Sequence, residues 1–445
     1  MYFLYSLLML GLFVLVSPWF GYQAMRYKKY VGSLAPRMGY LPVSFNMDGD
    51  ESIWIHAVSV GEVLTIRPLV RDLRRRHARL RVFVSTTTLA GQQVARRQVP
   101  DADAVFYFPF DLGIFVRRTL DLVRPRLFVM VETEIWPHLL RECRARGIKT
   151  SIVNGRISER SYPRYRLVRL FMTRVLADID RFCVQSEEGA RRFVDLGADP
   201  AHVIVTGSLK FDALDTATPS LQTRVRDRVL RYFRMSAGRP VIVAGSTMRG
   251  EETLVLDAFR RLRSVAPTAL LIVAPRHQER FDAVVTICRS EGYKTLRRTE
   301  LPIDAEPRSD VVVIDTIGEL ATLYQLATVV FVGGSLVPTG GHNILEPAVF
   351  GKPIIFGPHM ENFAEIARTF LANEAAVQLH AGESLDAALV TLMTDPVRRA
   401  RLGAAARALI EANRGAKDRT LEVLSALLPP PATLPSNVRP FRPIA

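Results

Sequence analysis

Thr328 to Gly357, TVVFVGGSLVPTGGHNILEPAVFGKPIIFG, decides the fold class. The apolar run Val329 to Val332 has the length and β-branched content of a parallel strand covered on both faces. Gly333, Gly334, Gly340 and Gly341 then let the backbone approach a ligand, and N–H donors at a helix start favour a bound anion. Asn343 and Glu346, three residues apart, share one helical face. A carboxylate there suits a ribose diol better than a phosphate. An ordinary strand-to-helix turn capped by asparagine produces the same pattern.

Outward from this segment, apolar β-rich stretches alternate with helical patterns, the signature of doubly wound α/β units. Strands are expected at 53–59, 82–86, 127–131, 150–154, 182–185 and 203–206, and again at 241–244, 270–274, 311–315, 329–332, 354–356 and 376–379. The chain of 445 residues is too long for one core. The expected division is an anchor at 1–24, an α/β domain at 25–212, a linker at 213–238, a second α/β domain at 239–428 and a disordered, proline-rich tail at 429–445. Ligands of open α/β sheets bind beyond the carboxyl ends of the strands, so a cleft between the two domains is expected.

Tyr2 to Tyr22 carries no charge and is about long enough to cross a bilayer as a helix. Arg26, Lys28, Lys29 and Arg37 follow it, with Trp19, Tyr22, Tyr27 and Tyr30 as interfacial aromatics. No basic region precedes the apolar run, which argues against a cleaved signal peptide. The positive flank puts the rest of the chain in the cytoplasm, and Pro18 and Gly21 leave open a helix that only dips into one leaflet. A net charge of +15 calls for an anionic partner: nucleic acid, a phospholipid surface or a phosphorylated substrate. Three distant cysteines give no disulfide framework. The absence of HExxH, of a Walker GxxxxGK[ST] and of a GxGxxG opening a βαβ unit disfavours a zinc enzyme, an ATPase and a dinucleotide dehydrogenase.

Each unusual motif sits at an expected strand end. In HAVSVGEV, Glu62 opens a helix, as a general base or as a complement to the helix dipole. VMVETEIWP ends a very apolar strand in Glu132 and Glu134, two acids that face one side if the extended form persists. GSLKFD places Lys210 past a strand, either as a solvated group or to neutralise an anion. In the second half GSTMRGEE, APRH and DTIGEL offer further turns, with Arg276 suited to phosphate.

In this order HAVSVGEV, VETEIWP, GSLKFD, GSTMRGEE, APRH, DTIGEL and GGSLVPTGGHNILEP resemble the 3-deoxy-D-manno-octulosonic acid (Kdo) transferases of lipopolysaccharide assembly, over nearly the whole chain. The resemblance implies a GT-B glycosyltransferase, with two Rossmann-like domains facing a cleft and an N-terminal membrane-anchor helix. It implies transfer of Kdo from CMP-Kdo to the lipid A precursor at the cytoplasmic side of the bacterial inner membrane, with no cofactor and no metal. Glu62 takes the position of the base, and Glu132 and Lys210 those of transition-state stabilisers. Pro275, Arg276, Ile317, Gly318, Glu319, Asn343, Ile344, Leu345 and Glu346 fall in the stretches that hold CMP, with Ile317 and Ile344 expected to act through backbone. The charge is then accounted for by an anionic membrane and a phosphoglycolipid acceptor, without nucleic acid. Another lipid-directed GT-B enzyme or a membrane-tethered anion-binding protein remains the alternative.

Overall fold

The computed structural model describes residues 2–27, 31–215, 228–236, 238–380 and 383–429. Half of the expected linker, nearly all of the expected tail, and Lys28, Lys29 and Tyr30 lie outside them. The chain forms two compact units, Met1–Thr216 with Arg414–Ala445, and Ala217–Asn413. The expected second domain therefore needs correction: it ends near Asn413, and the last helix, Ala416–Ala426, belongs to the first unit.

The first unit holds β1 (Ser52–His56), β2 (Arg81–Thr86), β3 (Ala104–Tyr107), β4 (Pro125–Val131), β5 (Lys149–Gly155), β6 (Arg181–Val184) and β7 (Val203–Val205). They pair in the order β3-β2-β1-β4-β5-β6-β7, and every pairing is parallel. The period of two along each strand sorts the side chains. Trp54, Phe83, Phe106, Phe128 and Phe182 pack an aromatic face, while Ile53, Ile55, Val82, Val84, Leu127 and Val129 build the opposite, aliphatic one. Helix Val60–Arg76 covers the aliphatic face with Val63, Ile66, Leu69, Val70 and Leu73, and Ala416, Leu424 and Leu428 from the end of the chain join the same cluster. Asp212 seats that last helix by accepting the N–H groups of Gly415 at 2.9 Å and Lys417 at 2.8 Å.

The second unit holds β8 (Val241–Thr247), β9 (Leu270–Pro275), β10 (Thr295–Arg297), β11 (Val311–Val313), β12 (Val329–Val332), β13 (Ile354–Phe356) and β14 (Val377–Gln378). Their order is β10-β11-β9-β8-β12-β13-β14, again all parallel. The opening segment thus gives β12 beside the central strand β8. The order reverses between β1 and β4 in the first sheet and between β8 and β12 in the second, and ligands favour such switch points.

The expected anchor forms helix Tyr2–Tyr27. Among the described residues no helix is long and apolar enough to cross a membrane. Tyr2, Tyr5, Ser6 and Phe13 pack on the first unit: Tyr5 Oη donates to Asp111 at 2.8 Å, Ser6 Oγ lies 3.1 Å from His138 Nε2, and the Phe13 ring lies 5.3 Å from that of Phe110.

Candidate active site

At the carboxyl end of β1 the chain turns at Ser59 and starts helix Val60–Arg76. Glu62 sits in its first turn, where one carboxylate oxygen accepts the Val58 N–H at 2.8 Å and the other accepts the Ser59 hydroxyl at 2.8 Å. Its own N–H donates to Ser59 Oγ at 3.4 Å, so the Ser59 side chain caps the helix. Burial holds the Glu62 carboxyl above the usual carboxylate range, the Glu132 charge adds to this, and the bonds from Ser59 and Val58 with the Lys210 charge oppose it.

β4 stops at Val131, and Glu132 turns away with φ 60, a left-handed conformation uncommon for a residue with a side chain. The extended form therefore does not persist, and Glu132 and Glu134 part company. Glu132 pairs with Arg156 Nε at 2.8 Å and Lys210 Nζ at 3.3 Å. Burial works to raise its pKa, but Lys210 and Arg156 outweigh it and hold the carboxyl below the usual range. Glu134 instead lies 4.0 Å from Nε2 of His56, and burial, then the charges of Glu62 and Glu132, push it up to about 7 against the neighbouring Trp136 indole. Lys210 is aimed by its own turn, in which Asn154 Oδ1 accepts the Leu209 N–H at 3.0 Å and Ser208 Oγ accepts the Lys210 N–H at 3.4 Å. Of the first unit's expected residues, Glu132 and Lys210 are in contact, and Glu62 stands within their electrostatic reach.

In the second unit the glycine-rich turn after β12 holds an anion, but not the expected one. The donors at Gly334 (2.7 Å), Ser335 (3.0 Å) and Leu336 (2.8 Å), together with Met248 (2.8 Å), all converge on the buried carboxylate of Glu251. A Cβ on Gly333 would come within 2.6 Å of the Ser246 carbonyl, so only glycine lets the two turns approach. Those N–H groups are taken, and a phosphate must be met elsewhere. Pro275 ends β9, and Arg276 fixes the chain with an N–H bond to Thr247 O at 3.0 Å while its side chain stays exposed. After β11, Ile317 is exposed and Gly318 has φ 84. Glu319 is bound to buried Arg298 at 2.8 Å and to the Thr316 hydroxyl at 2.8 Å. After β12, Asn343 Nδ2 donates to Glu346 Oε1 at 3.2 Å, whereas Ile344 and Leu345 are core residues that offer a ligand only backbone. Burial holds Glu346 above the usual range, against the Asn343 bond and the Arg276 charge. β11, β9, β8 and β12 are consecutive in the sheet, so these loops share one end of it.

Sequence reasoning missed Glu251, Arg156 and Asn154. GSTMRGEE showed an acid at a helix start, but its partners lie 83 to 85 residues on. No group of three or more His, Cys, Asp or Glu among the described residues is arranged to hold a metal ion.

The two doubly wound parallel units resemble those of the GT-B glycosyltransferases. The fold is shared with a glycosyltransferase from Rickettsia africae (TM-score 0.54, 11% identity, 85% of this chain and 98% of that one). It is shared also with a UDP-GlcNAc 2-epimerase from Neisseria meningitidis (TM-score 0.59, 13% identity, 84% and 100%). The profile of the family described as 3-Deoxy-D-manno-octulosonic-acid transferase (kdotransferase) matches residues 32–213. A 3-deoxy-D-manno-octulosonic acid transferase of Haemophilus influenzae is 33% identical over 96% of this chain and 98% of its own. The chain belongs to the Kdo transferase family, enzymes of lipopolysaccharide biosynthesis that transfer Kdo from a donor to a glycolipid.

Proposed function

We propose that the chain is an inverting transferase that moves Kdo from CMP-Kdo to a hydroxyl of the tetraacylated lipid A precursor, with Glu62 as general base. The observation that carries this reading is Glu62 itself, a half-desolvated carboxylate at the end of β1 whose neighbours Glu132, Lys210 and Arg156 form a charge-balanced set. Glu62 takes the proton of the acceptor hydroxyl, the oxygen attacks the anomeric carbon opposite CMP, and the bond to CMP breaks in the same displacement. Lys210, held by Glu132, stabilises negative charge as it develops. Arg276 meets the phosphate, Asn343 and Glu346 meet the ribose, and backbone at Ile317 to Glu319 and at Ile344 completes the donor contacts.

Membrane attachment at the cytoplasmic face of the inner membrane fits helix Tyr2–Tyr27, provided that it lies along the surface. Its contacts with the first unit run from Tyr2 to Phe13. The residues after Phe13 reach about 21 Å at about 1.5 Å each, short of a hydrocarbon core of about 30 Å. Phe3, Leu4, Leu7, Leu8, Leu10, Val14 and Leu15 are exposed along the rest of the helix, an apolar stripe suited to one leaflet. Leu167 and Leu170, among Arg164, Arg166, Arg169 and Arg174, extend the exposed apolar and basic surface beside Phe171, which packs on Tyr2 and Tyr5.

The test is Glu62→Gln, assayed with CMP-Kdo and acceptor and read by mass spectrometry, which also counts the Kdo residues added. Loss of product with CMP binding retained is expected. Unchanged transfer sinks the assignment of the base.

A further inference from the structure

His56 closes β1 and is fully buried, its ring stacked on Phe108 at 3.8 Å between centroids. Nδ1 lies 3.2 Å from the Ser85 carbonyl and 3.0 Å from Ser85 Oγ, and Oγ already accepts the Trp54 indole N–H at 2.7 Å. Assigning the ring proton to Nδ1, which donates to the carbonyl, leaves Nε2 as an acceptor, and Nε2 has no hydrogen-bond partner. A buried lone pair of this kind is costly unless a donor meets it. A candidate is the Glu134 carboxyl, 4.0 Å away, which supplies a donor only when it carries a proton. Burial keeps His56 itself neutral, so the proton cannot come from the ring.

The charges around Glu134 point the same way. Glu62 faces it from the helix after β1 and Glu132 from its own turn, both as anions. Tyr165 approaches from helix Tyr162–Leu167 without a charge. Lys210 and Arg156 are engaged by Glu132, and Arg37 acts on His56. The charges that act on Glu134 itself are thus the two like ones, Glu62 and Glu132.

We propose that Glu134, in its protonated form, donates a hydrogen bond to Nε2 of His56 and is a positioning residue for Glu62. This rests on the reading of Glu62 as the base. The bond ties the turn after β4 to the end of β1, from which the helix carrying Glu62 starts. It also leaves the site with one negative charge fewer when an anionic sugar nucleotide arrives. The Glu134 proton is not consumed: Glu62 alone takes the hydroxyl proton, and Glu134 holds its own on the carboxyl oxygen throughout. Ionisation of Glu134 breaks the tie and adds an unpaired charge, so turnover fails on the alkaline side.

Two measurements on the full chain test this. The first is a carbon-13 titration of glutamate carboxyls in labelled enzyme without donor or acceptor. One resonance titrating near 7 and missing from Glu134→Gln is expected; no such resonance, or one that persists in the variant, overturns the proposal. The second is the pH profile of transfer. The wild-type rate falls about twentyfold from about pH 6.5 to about pH 8.5, the drop in the protonated fraction of one group near 7. Glu134→Gln, whose amide also donates to Nε2, loses that fall whatever its absolute rate, and an unchanged profile overturns the proposal. Should the Gln variant not fold, Glu134→Asp shortens the reach to His56 and shifts the titration, and an unmoved resonance counts against it. Absence of any Kdo transfer would sink the transferase reading, and the substrate-free titration would still decide Glu134.

Discussion

Replacing Glu251 by Gln tests how the glycine-rich turn of the second unit is built. The carboxylate is fully buried and accepts four backbone N–H groups, Met248 and Gly334 on Oε2 and Ser335 and Leu336 on Oε1. Glutamine keeps its size but turns one oxygen into an amide NH2, which faces two donors with a third. At least two buried N–H groups are then left without an acceptor, at about 1–3 kcal/mol each. A loss of about 4 kcal/mol is expected, which lowers the melting temperature of a unit of this size by roughly 8–16 °C. Urea unfolding followed by fluorescence and circular dichroism gives the stability. Calorimetric titration with CMP gives the second consequence, weaker binding, because the same turn leads into Asn343 and Glu346. A variant within about 0.5 kcal/mol of the wild type would show that the carboxylate does not organise the turn.

Glu134→Gln also has a stability signature. A carboxyl raised from 4.5 to about 7 contributes stability that is fully present below its unfolded value and is lost as pH rises through the folded one. The variant lacks this loss, so its advantage over the wild type grows between these values and levels off near about 3 kcal/mol, measured as chemical unfolding across pH. Lys210→Met leaves Glu132 with Arg156 alone, and a fall in turnover of about 10²-fold with CMP affinity unchanged is expected from steady-state rates and calorimetry. A Cβ at Gly245 collides with the hydroxyl of buried Tyr324, so Gly245→Ala should cost about 1–3 kcal/mol in thermal unfolding. Tyr324→Phe in the same chain recovers part of it, and strictly additive losses would refute the contact.

Central strands were legible because burial on both faces writes them as unbroken apolar runs, as in FVMV at 128–131 and VVFV at 329–332. β3 and β10 escaped notice. They are edge strands of four and three residues, half facing solvent, and AVFY and TLR carry too little pattern. Turns at strand ends could be read for Glu62, Lys210 and Arg276, since acids, bases and glycines there break an apolar background. Partnerships could not. Glu132 meeting Arg156 and Lys210 depends on a left-handed turn and on neighbouring strands, and the capture of the glycine turn by Glu251 spans more than eighty residues. Such pairings are set by sheet order, which local spacing does not encode. The boundary near Asn413 was missed for the same reason: helix Ala416–Ala426 resembles any other amphipathic segment until its seat on Asp212 is seen.

That seat makes the second unit an insertion within the first. A ribosome releases chains from the N-terminus, and units made first ordinarily mature first. Here the aliphatic face of the first sheet stays incomplete until Ala416, Leu424 and Leu428 emerge, after every residue of the second unit has been synthesised. The second unit can therefore mature while the unit that bears Glu62 still waits for its last helix. The base proposed above thus stays out of service until translation is nearly over.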